Sequence, residues 1–113
     1  QRGVDGIVAT NTTISRPLNT DAHPHALQAG GLSGAPLATL SHRVITELRQ
    51  HIPSEFPVIG VGGIMDAASA QAAFSAGATL IQLYSGLIYR GPALVPEILK
   101  GLQTAKAAVS ELP

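Results

Sequence analysis

Three short apolar runs dominate the hydrophobic pattern of this chain. Phe56-Pro57-Val58-Ile59-Gly60-Val61-Gly62-Gly63-Ile64 and Thr79-Leu80-Ile81-Gln82-Leu83-Tyr84-Ser85-Gly86 are too short for buried helices and rich in β-branched residues, so each reads as a buried strand. The run from Gly3 to Ala9 reads the same way and turns abruptly polar at Thr10-Asn11-Thr12-Thr13. Helical spacing fills the gaps. From about Thr39 or Ser41 to Gln50, Val44, Ile45, Leu48 and Ile52 share a face, with Ser41 as a plausible N-cap and Pro53 as the stop. Asp66 precedes an alanine-rich helix, Ala67 to Ala76, that Gly77 ends; a catalytic acid is the alternative reading of Asp66, but capping accounts for it. Pro92 opens a last helix whose apolar face is Leu94, Val95, Ile98, Leu99 and Leu102. Residues 103–113 are mostly small or polar and are expected to fray or stay exposed.

Strand, helix, strand, helix, strand, helix with near-continuous apolar strands predicts parallel β/α units buried on both faces. Three such units cannot close a barrel, which takes eight strands and about 250 residues. The expected fold is therefore α/β: the C-terminal three or so β/α units of a (β/α)8 TIM barrel, occupying residues 1–113 as one partial domain. The chain has no initiator Met and enters a strand almost at once, which leads to the same expectation of a piece of a longer protein.

In such a sheet, ligands gather at the C-terminal strand ends. Gly62-Gly63 and Ser85-Gly86 end two of the runs, and glycine lets backbone N–H groups approach a ligand with no Cβ in the way. Side by side they would form an anion cradle, most plausibly for a phosphate. The polar run Thr10 to Thr13 could hydrogen-bond a ligand at a neighbouring strand end or simply satisfy a turn. Ile14 to Leu37 lacks periodicity, and loops of that length are usually functional or mobile. In it, Gly30-Gly31-Leu32-Ser33-Gly34 suits a backbone pressed against a planar or phosphorylated ligand, or a plain turn cluster. His23 and His25 could suggest a metal, but Pro24 between them and the lack of a third ligand at a recognisable spacing favour solvated loop histidines.

Composition narrows the function classes. The chain is 45% hydrophobic and 12% charged, and seven Lys and Arg balance seven Asp and Glu, which argues against a nucleic-acid footprint. The absence of Cys excludes disulfides, thiolate metal sites and cysteine nucleophiles within these residues. No stretch reaches the ~18 apolar residues of a membrane span.

Four blocks, in order, carry a specific resemblance: Ala9-Thr10-Asn11-Thr12-Thr13; Gly30-Gly31-Leu32-Ser33-Gly34-Ala35-Pro36-Leu37; Ile59-Gly60-Val61-Gly62-Gly63-Ile64; and Gln82-Leu83-Tyr84-Ser85-Gly86 with Arg90-Gly91-Pro92. Together they resemble dihydroorotate dehydrogenase over residues 3 to 102. The Tyr-Ser-Gly and Tyr-Arg-Gly-Pro segments are more similar to class 2, the quinone-dependent branch, than to class 1. The resemblance implies an FMN-dependent oxidoreductase that converts dihydroorotate to orotate in pyrimidine synthesis, with quinone as acceptor. It implies that Thr10, Gly34, Gly63, Tyr84 and Ser85 hold FMN, the last three near its phosphate, with Tyr84 contributing its backbone N–H. Asn11 and Thr12 would hydrogen-bond orotate. No position here matches the family's serine base or its earlier lysine and asparagines, so the resemblance implies an inactive piece that needs the rest of its barrel. It also implies peripheral attachment of the parent to the bacterial or mitochondrial inner membrane through an N-terminal segment not among these residues. Another FMN barrel of the class 1 type, or a non-catalytic half-barrel, are the alternatives.

Overall fold

The computed structural model describes residues 3–16 and 23–110; expectations for Gln1, Arg2, Pro17 and 111–113 lie outside the described residues. Three strands, β1 (Ile7–Ala9), β2 (Val58–Val61) and β3 (Leu80–Gln82), form one parallel sheet in the order β1-β2-β3. Register pairs Ala9 with Gly60 and Gly60 with Ile81, and Val8 with Ile59 and Ile59 with Leu80. Helix α1 (Ala38–His51) connects β1 to β2, and α2 (Ala67–Ser75) connects β2 to β3. Beyond β3 come two helices, α3 (Ser85–Arg90) and α4 (Leu94–Ser110).

Alternation along the strands decides where the core lies. Ala9, Val58 and Gly60 point to the helices, where Ala9, Ile45, Val58 and Ala78 form one buried cluster. Gly60 is tight for a reason: a Cβ there would sit 3.0 Å from the Ala78 methyl and 3.1 Å from Ile45. A second cluster, Ile64, Ala70, Ala73, Leu94 and Ile98, joins α2 to α4. The other sheet face departs from the expected burial on both sides. Val8 and Leu80 are each 58% exposed, because among the described residues no layer packs on that face.

Other boundaries also differ from the sequence reading. The third run is a strand only to Gln82, since Tyr84 turns the chain and Ser85-Gly86 begin α3. Ser41 is no N-cap: it lies inside α1, 1% exposed, and its hydroxyl donates to the Val61 carbonyl (2.9 Å). A packed position against β2 outweighs local capping preference there. Helix α4 runs to Ser110 and is largely exposed beyond Gln103; Gln, Lys and Ala are good helix formers and extend it. Val44, Val95 and Leu99, assigned to apolar faces, are substantially exposed.

The α2 cap matches its sequence signature. Ser69 N–H donates to the Asp66 carboxylate (2.8 Å), and the Ser69 hydroxyl accepts from Asp66 N–H (3.0 Å), a reciprocal capping box. The Ser69 N–H first, then the Ser69 hydroxyl, hold the Asp66 carboxyl below the usual carboxylate range, with help from the Arg90 charge. A carboxylate depressed in the folded state stabilises above its unfolded pKa and loses that contribution as pH falls through the folded value. Asp66→Ala should therefore cost about 1 kcal/mol at neutral pH, and its deficit against the parent should shrink below about pH 4. Urea unfolding at pH 7 and pH 3 measures both.

Candidate functional site

The cleft lies at the C-terminal ends of the strands, on the sheet face without helices, and measures about 380 Å³. All seven residues singled out from the sequence line it: Thr10, Asn11, Thr12, Gly34, Gly63, Tyr84 and Ser85. They come from four segments far apart in the chain. Strand pairing brings them together, since β2 lies between β1 and β3 and each strand delivers its following turn to the same end.

Beneath Thr10, the Val61 carbonyl accepts from Thr10 N–H (2.8 Å), extending the β1–β2 ladder by one residue, and from Ser41 (2.9 Å). The Thr10 bond anchors the first polar segment to the end of β2, and the Ser41 bond fixes α1 to the same carbonyl. Asn11 Oδ1 accepts from Thr12 N–H (2.9 Å), which orients the amide. Asn11 and Thr12 are exposed in this chain.

The loop of residues 23–37 is held by backbone bonds and by the side chain of Arg16, among others. Thr13 and Leu32 form an isolated antiparallel bridge. Arg16 donates to the carbonyls of Ala26 (3.0 Å), Ile14 (3.1 Å) and Gly30 (3.2 Å), stitching both sides of the loop. A 3-10 turn, Ala35–Leu37, then leads into α1. His23 and His25 are exposed, with ring centroids 5.4 Å apart.

The glycines divide by role. A Cβ on Gly31 would overlap the Thr12 side chain, so this glycine seats Thr12. Gly34 (φ +78°) faces the cleft, where a Cβ would only touch Ser85 at 3.7 Å. Gly63 (φ +78°) is different from its sequence reading: its missing Cβ points at the Ala38 backbone, not into ligand space. Gly62 packs on Leu37 in the same way. The turn after β2 is thus pressed onto the start of α1, and its residues Gly62, Gly63 and Ile64 line the cleft. Among the described residues the N–H groups of Gly62, Gly63 and Ile64 donate to no protein acceptor.

Several cleft residues went unrecognised in the sequence as candidates. Val8 and Gln82 line it because they share a strand face with Thr10 and with the chain leading to Tyr84, a signal present in the period-2 alternation. Ser33 reaches the Ser85 hydroxyl at 2.9 Å, joining the glycine loop to the start of α3 across 52 positions. No sequence signal pairs those two. Among the described residues, no carboxylate, imidazole, amine or guanidinium lines the cleft.

A parallel β/α sheet with a glycine-walled cleft at its C-terminal strand ends defines part of a ligand-binding β/α barrel. The sequence profile of dihydroorotate dehydrogenase matches residues 1–105, and the chain belongs to that family. It is 53% identical over 107 residues to the dihydroorotate dehydrogenase (quinone) of Flavobacterium lutescens, covering 95% of this chain and 30% of that protein. With the protein of the same name from Nitrosospira multiformis it shares 56% over 102 residues, covering 90% of this chain and 29% of that one. Among solved structures, DHODH from Eimeria tenella in complex with ferulenol superimposes with a TM-score of 0.86 at 30% identity, over 95% of this chain and 28% of that one. The chain thus spans about a third or less of the length of these relatives, and its three β/α units are a portion of their (β/α)8 barrel. Among the described residues no helix is long and apolar enough to cross a membrane.

Proposed function

We propose that this chain is the part of an FMN-dependent, quinone-reducing dihydroorotate dehydrogenase that binds the flavin phosphate and one edge of the substrate, in the synthesis of pyrimidines. The observation that carries the reading is the convergence of Thr10, Asn11, Thr12, Gly34, Gly63, Tyr84 and Ser85 on one cleft. The cleft also fits a flavin phosphate chemically. Its glycine turn presents N–H groups without protein acceptors, Ser33 and Ser85 supply hydroxyls, and among the described residues no carboxylate lines it to repel an anion. Val8, Leu37, Val61 and Ile64 supply apolar surface for the flat ring system.

When bound, FMN supplies a two-electron acceptor for the hydride of dihydroorotate. The residues of this chain position the reactants around that transfer. Thr10, Gly34, Gly63, Tyr84 and Ser85 hold the cofactor; Asn11 and Thr12 hydrogen-bond the amide and carboxylate edges of the substrate, with Asn11 preset by its bond to Thr12 N–H. Ser33 and Ser85 belong to blocks with other roles, and no position of this chain matches the family's serine base. In this reading the base belongs to the remaining barrel, and the 113 residues alone should not turn over. Quinone and the inner membrane are partners of the whole protein in this reading.

Joining this chain to the remaining barrel segment of the Flavobacterium lutescens relative tests it. The chimera should retain FMN and reduce quinone with dihydroorotate; a folded, flavin-loaded chimera without that activity overturns the assignment. Within it, Asn11→Ala should leave flavin content unchanged. Removing one partner of a desolvated polar ligand costs about 1–3 kcal/mol, so kcat/KM should fall about 5- to 150-fold.

A further inference from the structure

We propose that Arg90 is a positioning residue that sets the separation of the two walls of the cleft and so tunes its hold on a phosphate. The proposal rests on the reading of the cleft as a flavin-phosphate cradle. One wall is the turn after β2, Gly62 to Ile64; the other is the start of α3, Tyr84 to Gly86. Two contacts lock α3 to that turn, one at each end. At the first, buried Gly86 packs so closely on the Ile64 carbonyl that a Cβ would overlap it. At the second, the Arg90 guanidinium donates to the Met65 carbonyl (3.2 Å) and to Glu97 Oε2 (2.6 Å), a carboxylate in the first turn of α4.

Beyond these, α3 is held at its start by the Ser33–Ser85 hydroxyl contact and the packing of Gly86 near Leu94. Ile88 is 74% and Tyr89 80% exposed, so apolar packing along α3 is sparse. Arg90 therefore links three elements, the segment after β2, the end of α3 and the beginning of α4, with a forked group that can serve two acceptors at once. It does not line the cleft. Exposed ion pairs contribute little to global stability, and Arg90 and Glu97 side chains are 46% and 44% exposed, so substitution should leave the fold intact while freeing α3 to shift against the glycine turn.

The test compares dissociation constants for FMN and for riboflavin, which lacks the phosphate, in the chimera described above. The parent should prefer FMN. Arg90→Ala should weaken FMN binding about tenfold, the scale of one charge-assisted hydrogen bond, with riboflavin binding unchanged, and Arg90→Lys should restore part of the preference. An Arg90→Ala protein with the parental FMN-to-riboflavin ratio overturns the proposal, as does an equal loss for both flavins, which is the mark of a merely structural role. A parent without FMN preference refutes the phosphate cradle itself, and the positioning role falls with it. Should Arg90→Ala fail to fold, Glu97→Gln decides by the same ratio: a reduced preference supports the proposal and a parental one overturns it.

Discussion

Gly63→Val is expected to unfold the region around α1 rather than merely empty the cleft. Gly63 sits at φ +78°, where a branched L-residue is strained. A Cβ there would also overlap the Ala38 backbone at the beginning of α1. Backbone atoms cannot rotate aside as a flexible side chain can, so the helix start or the turn must move. Strain alone costs about 1–3 kcal/mol, and the overlap adds to it. The total reaches the range above about 4 kcal/mol that marks exceptional substitutions and removes much of the ~5–15 kcal/mol that holds a domain together. Thermal unfolding followed by circular dichroism should show a large fall in Tm. Gly34→Ala is the matched comparison: the same φ, but a Cβ in ordinary contact with Ser85 at 3.7 Å, so strain without collision and a smaller loss. A Gly63→Val protein with the parental Tm and lowered flavin affinity would restore the ligand-space reading of this glycine.

The second large effect is expected at Arg49. This residue lies near the C-terminal end of α1 and donates to the carbonyls of Gly77 (2.7 Å), Phe56 (2.8 Å) and Pro53 (3.1 Å) and to the Thr79 hydroxyl (2.9 Å). Those acceptors lie in the turns entering β2 and β3. One guanidinium thereby fastens the N-terminal ends of two neighbouring strands to a helix. Gly77 (φ +115°) fits beneath the Arg49 side chain, where a Cβ would overlap it. Bonds to charged groups contribute about 1.5–3 kcal/mol each when buried, but these are partly exposed and act as a unit, so Arg49→Ala should cost roughly 2–4 kcal/mol. Arg49→Lys should recover only a minor part, because an ammonium cannot span the same fork. Denaturant midpoints for the two variants measure this; a shift within error for Arg49→Ala would mean that the turns are held by their backbones alone.

Much of the fold was legible in the chain because the relevant forces are local or periodic. Apolar runs of strand length, helical spacing at Ile45 and Leu48, and an N-capping Asp66 ahead of an alanine-rich run each act within a few residues. Their expected elements formed, with boundaries moved by tertiary contacts: Ser41 was drawn inward to the Val61 carbonyl, and the third strand was cut short where Tyr84 turns into α3. Helix α3 itself carried no readable period, since six residues do not establish one and its Ile88 and Tyr89 face outward.

The candidate site divides in the same way. Glycine clusters and an abrupt apolar-to-polar switch marked Thr10 to Thr12, Gly30 to Gly34 and Gly62-Gly63 as unusual, since turn chemistry and alternation are properties of neighbouring residues. That these segments share one cleft follows from parallel pairing of β1, β2 and β3, a long-range arrangement. By itself the sequence determined an α/β chain of parallel units with its polar and glycine-rich strand ends poised for an anionic ligand. Only the tertiary structure decided which glycines serve ligand and which serve packing, that Ser33 meets Ser85, and that Arg49 and Arg90 act as braces. The physical reason is distance: whether a missing Cβ opens space for a ligand or for a helix depends on atoms many residues away, and a guanidinium reveals its acceptors only once the chain has folded around it.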